Sequence, residues 1–339
     1  VFNKVPIVPG TELTYTTPRL THDAEFLGSG SANLWMSSTA PDTTVEVMIS
    51  EIRPDGQESF VANGWLRLSQ RKLDQRASTV LRPVQTDLLA DLDVLDNGMP
   101  RTRARYHMNM CAELAAYYAG WPSRLDGVVH PAPPGLLAYS IKEPVGVVAA
   151  IIPWNGPTAA ALWKLGPALA TGNSIILKPA EQTPLSAVRL AQICLEAGIP
   201  DGVVNVVQGA GETAGAALVA HPDVDKVAFT GSTQTGRVVQ AAAAERLKRV
   251  TLELGGKAAN IVFADADLDA AAKGVVAGAW ASSGQVCMAG SRLVVERSIA
   301  GELVERVVAL TRPLKLGSGF EPSTDLGPLV SSEQLNRVT

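Results

Sequence analysis

Three side chains in this sequence stand where a backbone can bring each to one reacting carbon. Cys287 lies in Ser283-Gly284-Gln285-Val286-Cys287-Met288-Ala289-Gly290, between glycines that permit close approach of a second backbone. As a thiolate it would be a nucleophile; as a thiol it would be one more small buried hydrophobe, and this segment alone leaves both open. Glu253 lies in Thr251-Leu252-Glu253-Leu254-Gly255-Gly256-Lys257, at the C-terminal end of an apolar strand. Ligands of open α/β sheets sit at that end. A carboxylate there needs a partner, a raised pKa or water, so it is either a general base or the ion-pair partner of Lys257. Asn155 closes Ile151-Ile152-Pro153-Trp154-Asn155 with an amide donor. The next strand runs into Lys178-Pro179-Ala180-Glu181, a charged pair that suits a ribose and equally suits a solvated strand end.

Two glycine-rich turns could hold phosphate. Gly209-Ala210-Gly211-Glu212-Thr213-Ala214-Gly215 resembles a G-x-G-x-x-G fingerprint with one residue too many, and is otherwise a strand-to-helix turn. Phe229-Thr230-Gly231-Ser232-Thr233-Gln234-Thr235-Gly236 also leads a strand into a helix, whose first N–H groups and positive dipole end face an anion. Ser232 adds a hydroxyl. Cys111 and Cys194 fall at apolar-periodic helix positions and read as core.

These residues need a scaffold, and the pattern supplies one. From Gly146 onward strands and helices alternate. Strands are expected at Gly146 to Ile152, Ser174 to Lys178, Val203 to Val207, Lys226 to Thr230 and Val250 to Leu254. Helices are expected at Thr158 to Thr171 and Pro184 to Ala197, stopped by Gly172 and Gly198. Nearly continuous apolar strands in βα alternation imply a parallel sheet covered on both faces. Leu88, Leu89, Leu92 and Leu95 predict a helix before Asn97-Gly98, and a second helix spans about 102 to 119. Before about residue 85 the chain reads as β. Leu13 to Thr17, Ala32 to Met36 after Gly28-Ser29-Gly30, the alternating Val45, Val47 and Ile49, and Trp65, Leu66 and Leu68 are separated by turns such as Pro54-Asp55-Gly56.

Composition narrows the function classes. The chain has 339 residues, 46% apolar and 18% charged, with a net charge of −4 and no basic block. That is a core-forming composition unsuited to nucleic acid or an anionic membrane. The longest apolar runs, Val147 to Ile152 among them, are far below the ~18 residues needed to span a bilayer. Three scattered cysteines point to a reducing, cytoplasmic compartment. The four histidines show no ligand spacing, so no metal site is expected. The start, Val1-Phe2-Asn3-Lys4, has no secretory pattern and no initiator Met, as for a chain processed or read from inside a longer frame.

Taken together, Pro153-Trp154-Asn155, Lys178 to Pro184, Phe229-Thr230-Gly231-Ser232, Leu252 to Lys257 and Gly284-Gln285-Val286-Cys287 resemble, in order and separation, the motifs of aldehyde dehydrogenases. The resemblance covers about Leu88 to Thr339. It implies an α/β fold, with a parallel-sheet nucleotide-binding domain at 86–254 and the first part of a catalytic domain at 255–339. It implies Cys287 as nucleophile, Asn155 with the Cys287 N–H as oxyanion hole, and Glu253 as general base in a partly buried site. It implies NAD, rather than NADP, held by Ile152, Trp154, Lys178, Glu181, Gly211, Gly231, Ser232 and Leu254. The Glu181 carboxylate would accept ribose hydroxyls and repel a 2′-phosphate. The substrate would be a small aldehyde, oxidised through a thiohemiacetal and a thioester; a variant passing the thioester to coenzyme A has less need of Glu253. The family is homo-oligomeric. Its later Glu-x-Phe-Gly-Pro segment and C-terminal oligomerisation strand do not occur before Thr339, so an incomplete catalytic domain is expected.

Residues 11 to 83 resemble instead part of the C-terminal jelly-roll domain of the cocaine-esterase/X-prolyl dipeptidyl peptidase hydrolases, a partial β-sandwich over 1–85. No G-x-S-x-G elbow is present, so nothing supports hydrolysis by this chain. The alternatives are a fragment of such a hydrolase, or an inactive dinucleotide-binding fragment from a fused reading frame.

Overall fold

The computed structural model describes residues 44–52, 58–67 and 84–339. The chain divides into two units, Val1–Leu68 and Ser69–Thr339. In the first, β1 (Thr44–Ile52) and β2 (Glu58–Arg67) pair antiparallel, with a bulge between Ile49 and Ser50. The period-two alternation of Val45, Val47 and Ile49 does form a strand. The expected strands at 13–17 and 32–36 and the turns at 28–30 and 54–56 lie outside the described residues.

The second unit carries a short antiparallel pair, β3 (Val128–His130) and β4 (Ala138–Ser140), and is built on a five-stranded parallel sheet. The strands of that sheet are β5 (Val147–Ile151), β6 (Ser174–Lys178), β7 (Val204–Val206), β8 (Lys226–Gly231) and β9 (Arg249–Leu254), in the order β7-β6-β5-β8-β9. Helices α3 (Pro157–Ala170), α4 (Leu185–Glu196), α5 (Ala216–Ala220) and α6 (Thr233–Ala244) connect them, α5 following a π-helical turn at Gly211–Gly215. The sequence places apolar residues at every position of β5, and the fold uses both faces. Val148 and Ala150 join Leu165 and Leu190 in one core, while Ala149 and Ile151 join Val219, Val239 and Ala243 in the other. The chain winds outward from β5 to β7, then crosses back to β8 and β9. Strand order therefore reverses between β5 and β8, and the crevice at their carboxyl ends is where such sheets bind ligands.

Helices α1 (Val84–Asn97) and α2 (Arg101–Ala119) close one face. The leucine spacing predicts the first of these, but its buried stripe is not the leucine stripe. Leu88 and Leu95 are exposed, whereas Leu89, Ala90, Asp93, Val94 and Asn97 are buried. The reason is polar. The Asp93 carboxylate accepts a hydrogen bond from Thr158 Oγ1 at 2.9 Å, in the first turn of α3. The helix therefore turns an acid inward to hold its neighbour.

Beyond β9 the chain forms a parallel pair, β10 (Ala259–Val262) and β11 (Arg292–Val295). They pack through Val262 on Ala272 and Val275 of α7 (Leu268–Trp280) and on Leu303 of α8 (Ala300–Thr311). Asp267 caps α7 by accepting from the N–H groups of Asp269 and Ala270. Among the described residues no helix is long and apolar enough to cross a membrane.

Candidate active site

Three strand ends and one loop converge at the carboxyl edge of the sheet. After β5 the chain runs through Ile152, whose side chain is buried and whose N–H donates to the Lys178 carbonyl at 3.0 Å. Any contact Ile152 makes with a ligand is therefore through its backbone. Trp154 and Asn155 follow, both half-buried. The Trp154 carbonyl accepts from the buried Asn97 amide at 3.4 Å. Asn155 Nδ2 donates to the Gln285 carbonyl at 2.8 Å, two residues before Cys287. An amide nitrogen carries two hydrogens, so one is left for a substrate oxygen.

Cys287 itself is exposed, unlike Cys111, which is buried, and Cys194, which packs partly against the main core. Burial pushes the Cys111 thiol up to about 12 and moves Cys194 in the same direction. Both are thus poor nucleophiles, and the structure separates the three thiols as their sequence settings suggest. The loop carrying Cys287 is pinned from behind. Gly290 lies so close to Asn260 that a β-carbon there would stand 2.3 Å from its Nδ2, and that amide donates to the Gly290 carbonyl at 2.7 Å. Among the described residues the Cys287 N–H meets no protein acceptor.

Glu253 requires a correction. The expected buried strand is the edge of the sheet, and β9 alternates between exposed and half-buried residues along its length. Val250, Leu252 and Leu254 face the core beneath α6, while the opposite face of β9, which carries Thr251 and Glu253, is exposed. Nor is an ion pair between Glu253 and Lys257 found among the described residues, where Lys257 Nζ donates to the Gly256 carbonyl at 3.3 Å. The turn that follows β9, three positions beyond Glu253, reaches the cysteine loop. A β-carbon at Gly256 would stand 3.5 Å from the Cys287 carbonyl oxygen.

Sequence reasoning missed Lys164. It is half-buried on α3, donates through Nζ to Thr230 Oγ1 at 2.8 Å, and Thr230 pairs with Glu253 across β8 and β9. Burial pulls its ammonium down to about 8, and the nearby Glu253 charge opposes the fall. The signal was present: Lys164 is the one charged residue in the helix Pro157–Ala170.

On the other side of the crevice lies a second cluster. Lys178 is buried, and its Nζ donates to Glu181 Oε1 at 3.1 Å. Burial works to raise the Glu181 carboxyl. Its own backbone N–H, Lys178 and the Gly211 N–H outweigh that and hold it below the usual range. Lys178, Glu181 and Gly211 thus meet. A solvated strand end does not describe a buried lysine. Gly231 and Leu254 pair across β8 and β9, and Ser232 caps α6 by accepting from the Thr235 N–H at 3.1 Å. Gly236 of that helix rests on Leu254, where a β-carbon would stand 2.5 Å from its Cδ2. A carboxylate beside a buried lysine suits the hydroxyls of a sugar, and the N-terminus of α6, two strands away along the same edge, suits a phosphate.

Residues 66–339 match the aldehyde dehydrogenase family. The chain belongs to that family. Human mitochondrial aldehyde dehydrogenase is 48% identical over 252 residues, covering 74% of this chain and 49% of the relative. Phenylacetaldehyde dehydrogenase of Pseudomonas fluorescens is 42% identical over 308 residues, covering 88% and 61%. The structure of a Bacillus cereus aldehyde dehydrogenase in its NAD+ complex superposes with a TM-score of 0.74 at 49% identity, covering 75% of this chain and 52% of that one. The chain thus spans about half the length of the relatives it matches. Residues 8–96 match the X-Pro dipeptidyl-peptidase C-terminal non-catalytic domain, as the β-rich front suggests, and overlap the aldehyde dehydrogenase match at 66–96.

Proposed function

We propose that this aldehyde dehydrogenase chain supplies the machinery for NAD-dependent oxidation of an aldehyde to a carboxylic acid. The observation that carries this reading is the loop of Cys287. It exposes one thiol of three, is tied to Asn155, and lies beside the end of the Glu253 strand. Cys287 attacks the aldehyde carbon, forming an S–C bond while the carbonyl π pair moves to oxygen. The Cys287 N–H and the free Asn155 hydrogen stabilise that developing charge; one such donor is typically worth ~10²–10³ in rate. When bound, NAD supplies the hydride acceptor that takes the thiohemiacetal to a thioester. Glu253, open to solvent, accepts a proton from the water that hydrolyses the thioester. Lys178, Glu181 and Gly211 hold the adenosine ribose, while Gly231, Ser232 and Leu254, with the backbone of Ile152 and Trp154, flank the rest of the dinucleotide. The ionised Glu181 favours NAD over NADP.

We divide the chain accordingly into a β-rich segment at 1–85, a nucleotide-binding part at 86–254 and a catalytic part at 255–339. In this reading the protein works in the cytoplasm, assembles as a homo-oligomer as its family does, and is a chimera of two unrelated modules. The test is reduction of NAD, followed by absorbance, with a panel of aliphatic and aromatic aldehydes, for the wild type and Cys287→Ser. Turnover by the wild type that the variant loses by at least ~10³ supports the reading. NAD binding without turnover for any aldehyde refutes it in favour of a non-catalytic dinucleotide-binding chain.

A further inference from the structure

Immediately before the nucleophile loop the backbone does something unusual. Ser282, Ser283 and Gly284 are consecutive left-handed residues, with φ of 48°, 57° and 77°. Glycine adopts this conformation freely, but serine does so only against steric resistance, so a run containing two serines needs external support. The support is visible. Gln285 Nε2 donates to the Ser282 carbonyl at 3.3 Å, and Gln285 Oε1 accepts from the Val330 N–H at 3.1 Å. Ser283 Oγ adds a tether to the Gly327 carbonyl at 2.7 Å. The Gln285 carbonyl is also the acceptor of the Asn155 amide. A small cavity of about 10 Å³ lies between Trp154, Asn155, Ser282, Ser283, Gln285 and Pro328, so the brace and the amide share one wall.

We propose that Gln285 is a positioning residue of the reaction. Its side chain clamps the left-handed turn to the 327–330 segment, and so fixes both the backbone that carries the Cys287 N–H and the carbonyl that aims Asn155. The inference rests on the reading of Cys287 as nucleophile and Asn155 as oxyanion donor. It assigns to Gln285 no contact with substrate. Its consequence is selective. Attack on an aldehyde puts charge on oxygen, and that oxygen then takes the proton given up by the thiol; displacement of iodide from iodoacetamide puts no charge on a carbonyl oxygen. Loss of the clamp therefore impairs the first reaction and spares the second.

The experiment uses the full chain as wild type, as Gln285→Met, which keeps the side-chain length, and as Gln285→Met with Ser282→Gly, which lets the turn hold its conformation unaided. Mass spectrometry gives the iodoacetamide alkylation rate of Cys287, and the concentrations of propanal, hexanal and benzaldehyde that protect it. The expected result is alkylation of Gln285→Met within about threefold of wild type, protection weakened about tenfold or more, and protection restored by Ser282→Gly. Unchanged protection in Gln285→Met overturns the proposal, and so does a parallel fall of alkylation and protection that Ser282→Gly leaves uncorrected. Absence of protection in the wild type by all three aldehydes sinks the catalytic reading itself, and the proposal with it.

Discussion

Replacing Asp93 by Asn separates a buried acid from the helix it holds. Asp93 is only 1% exposed, and burial lifts its carboxyl from 3.8 to about 7, against the opposing hydrogen bond from Thr158. The folded protein therefore binds this proton more tightly than the unfolded chain. The stability it confers is complete below about pH 3.8, and is lost as pH rises toward 7. Three pH units at 1.36 kcal/mol each give ~4 kcal/mol as a ceiling, and relaxation around the site trims this to roughly 2. Asn keeps an acceptor for Thr158 Oγ1 and cannot ionise. Urea unfolding of both proteins, followed by tryptophan fluorescence, should show Asp93→Asn gaining about 2 kcal/mol on the wild type between about pH 4.5 and 7.5. The difference between the two curves cancels the titrations of groups that do not interact with Asp93; Asp96, whose carboxyl burial also raises, repels Asp93 and stays in the difference. A difference that stays flat within ~0.5 kcal/mol over that range would falsify the argument, since the carboxyl would then titrate alike in both states. The position matters because Thr158 opens α3 three residues after Asn155.

Glu181→Ser removes the carboxylate that faces the ribose, and the ratio of KM for NADP to KM for NAD should fall about tenfold, equivalent to ~1.4 kcal/mol; an unchanged ratio places cofactor choice elsewhere. Lys164→Met deletes an ammonium depressed from 10.5 to about 8. The penalty the variant escapes is full below about pH 8 and fades toward 10.5, so melting curves should show Lys164→Met at least as stable as wild type at neutral pH, with the wild type catching up as pH rises. Gly290→Ala forces a β-carbon onto Asn260 and should cost about 1–3 kcal/mol, visible as a melting temperature lowered by several degrees. An unaltered melting temperature would mean that the loop has room to shift.

The residues that could be read from the sequence were those whose role is local. The apolar runs of β5 and β6 are visible in the sequence, and the span Ser174 to Lys178 is legible residue for residue, because Ile175, Ile176 and Leu177 leave no polar position between its ends. Lys178 and Glu181 could be paired because they stand three positions apart. What failed was decided by distant neighbours. Whether β9 is central or at the edge depends on which strand lies beyond it, and no local pattern encodes that. The orientation of α1 depends on Thr158, 65 positions from Asp93. The clamp at Gln285 joins residues 45 positions apart, and its partner amide is 130 positions away. A glutamine in a loop carries no sign of either.

The central claim is that Cys287 alone among the three thiols belongs to an assembled, cofactor-responsive site. Its most direct test is competitive alkylation of Cys111, Cys194 and Cys287 by iodoacetamide, read by mass spectrometry with and without NAD. The account predicts that Cys287 reacts much faster than the other two, and that NAD alters its rate alone. Equal, rapid reaction of all three thiols, indifferent to NAD, would contradict it.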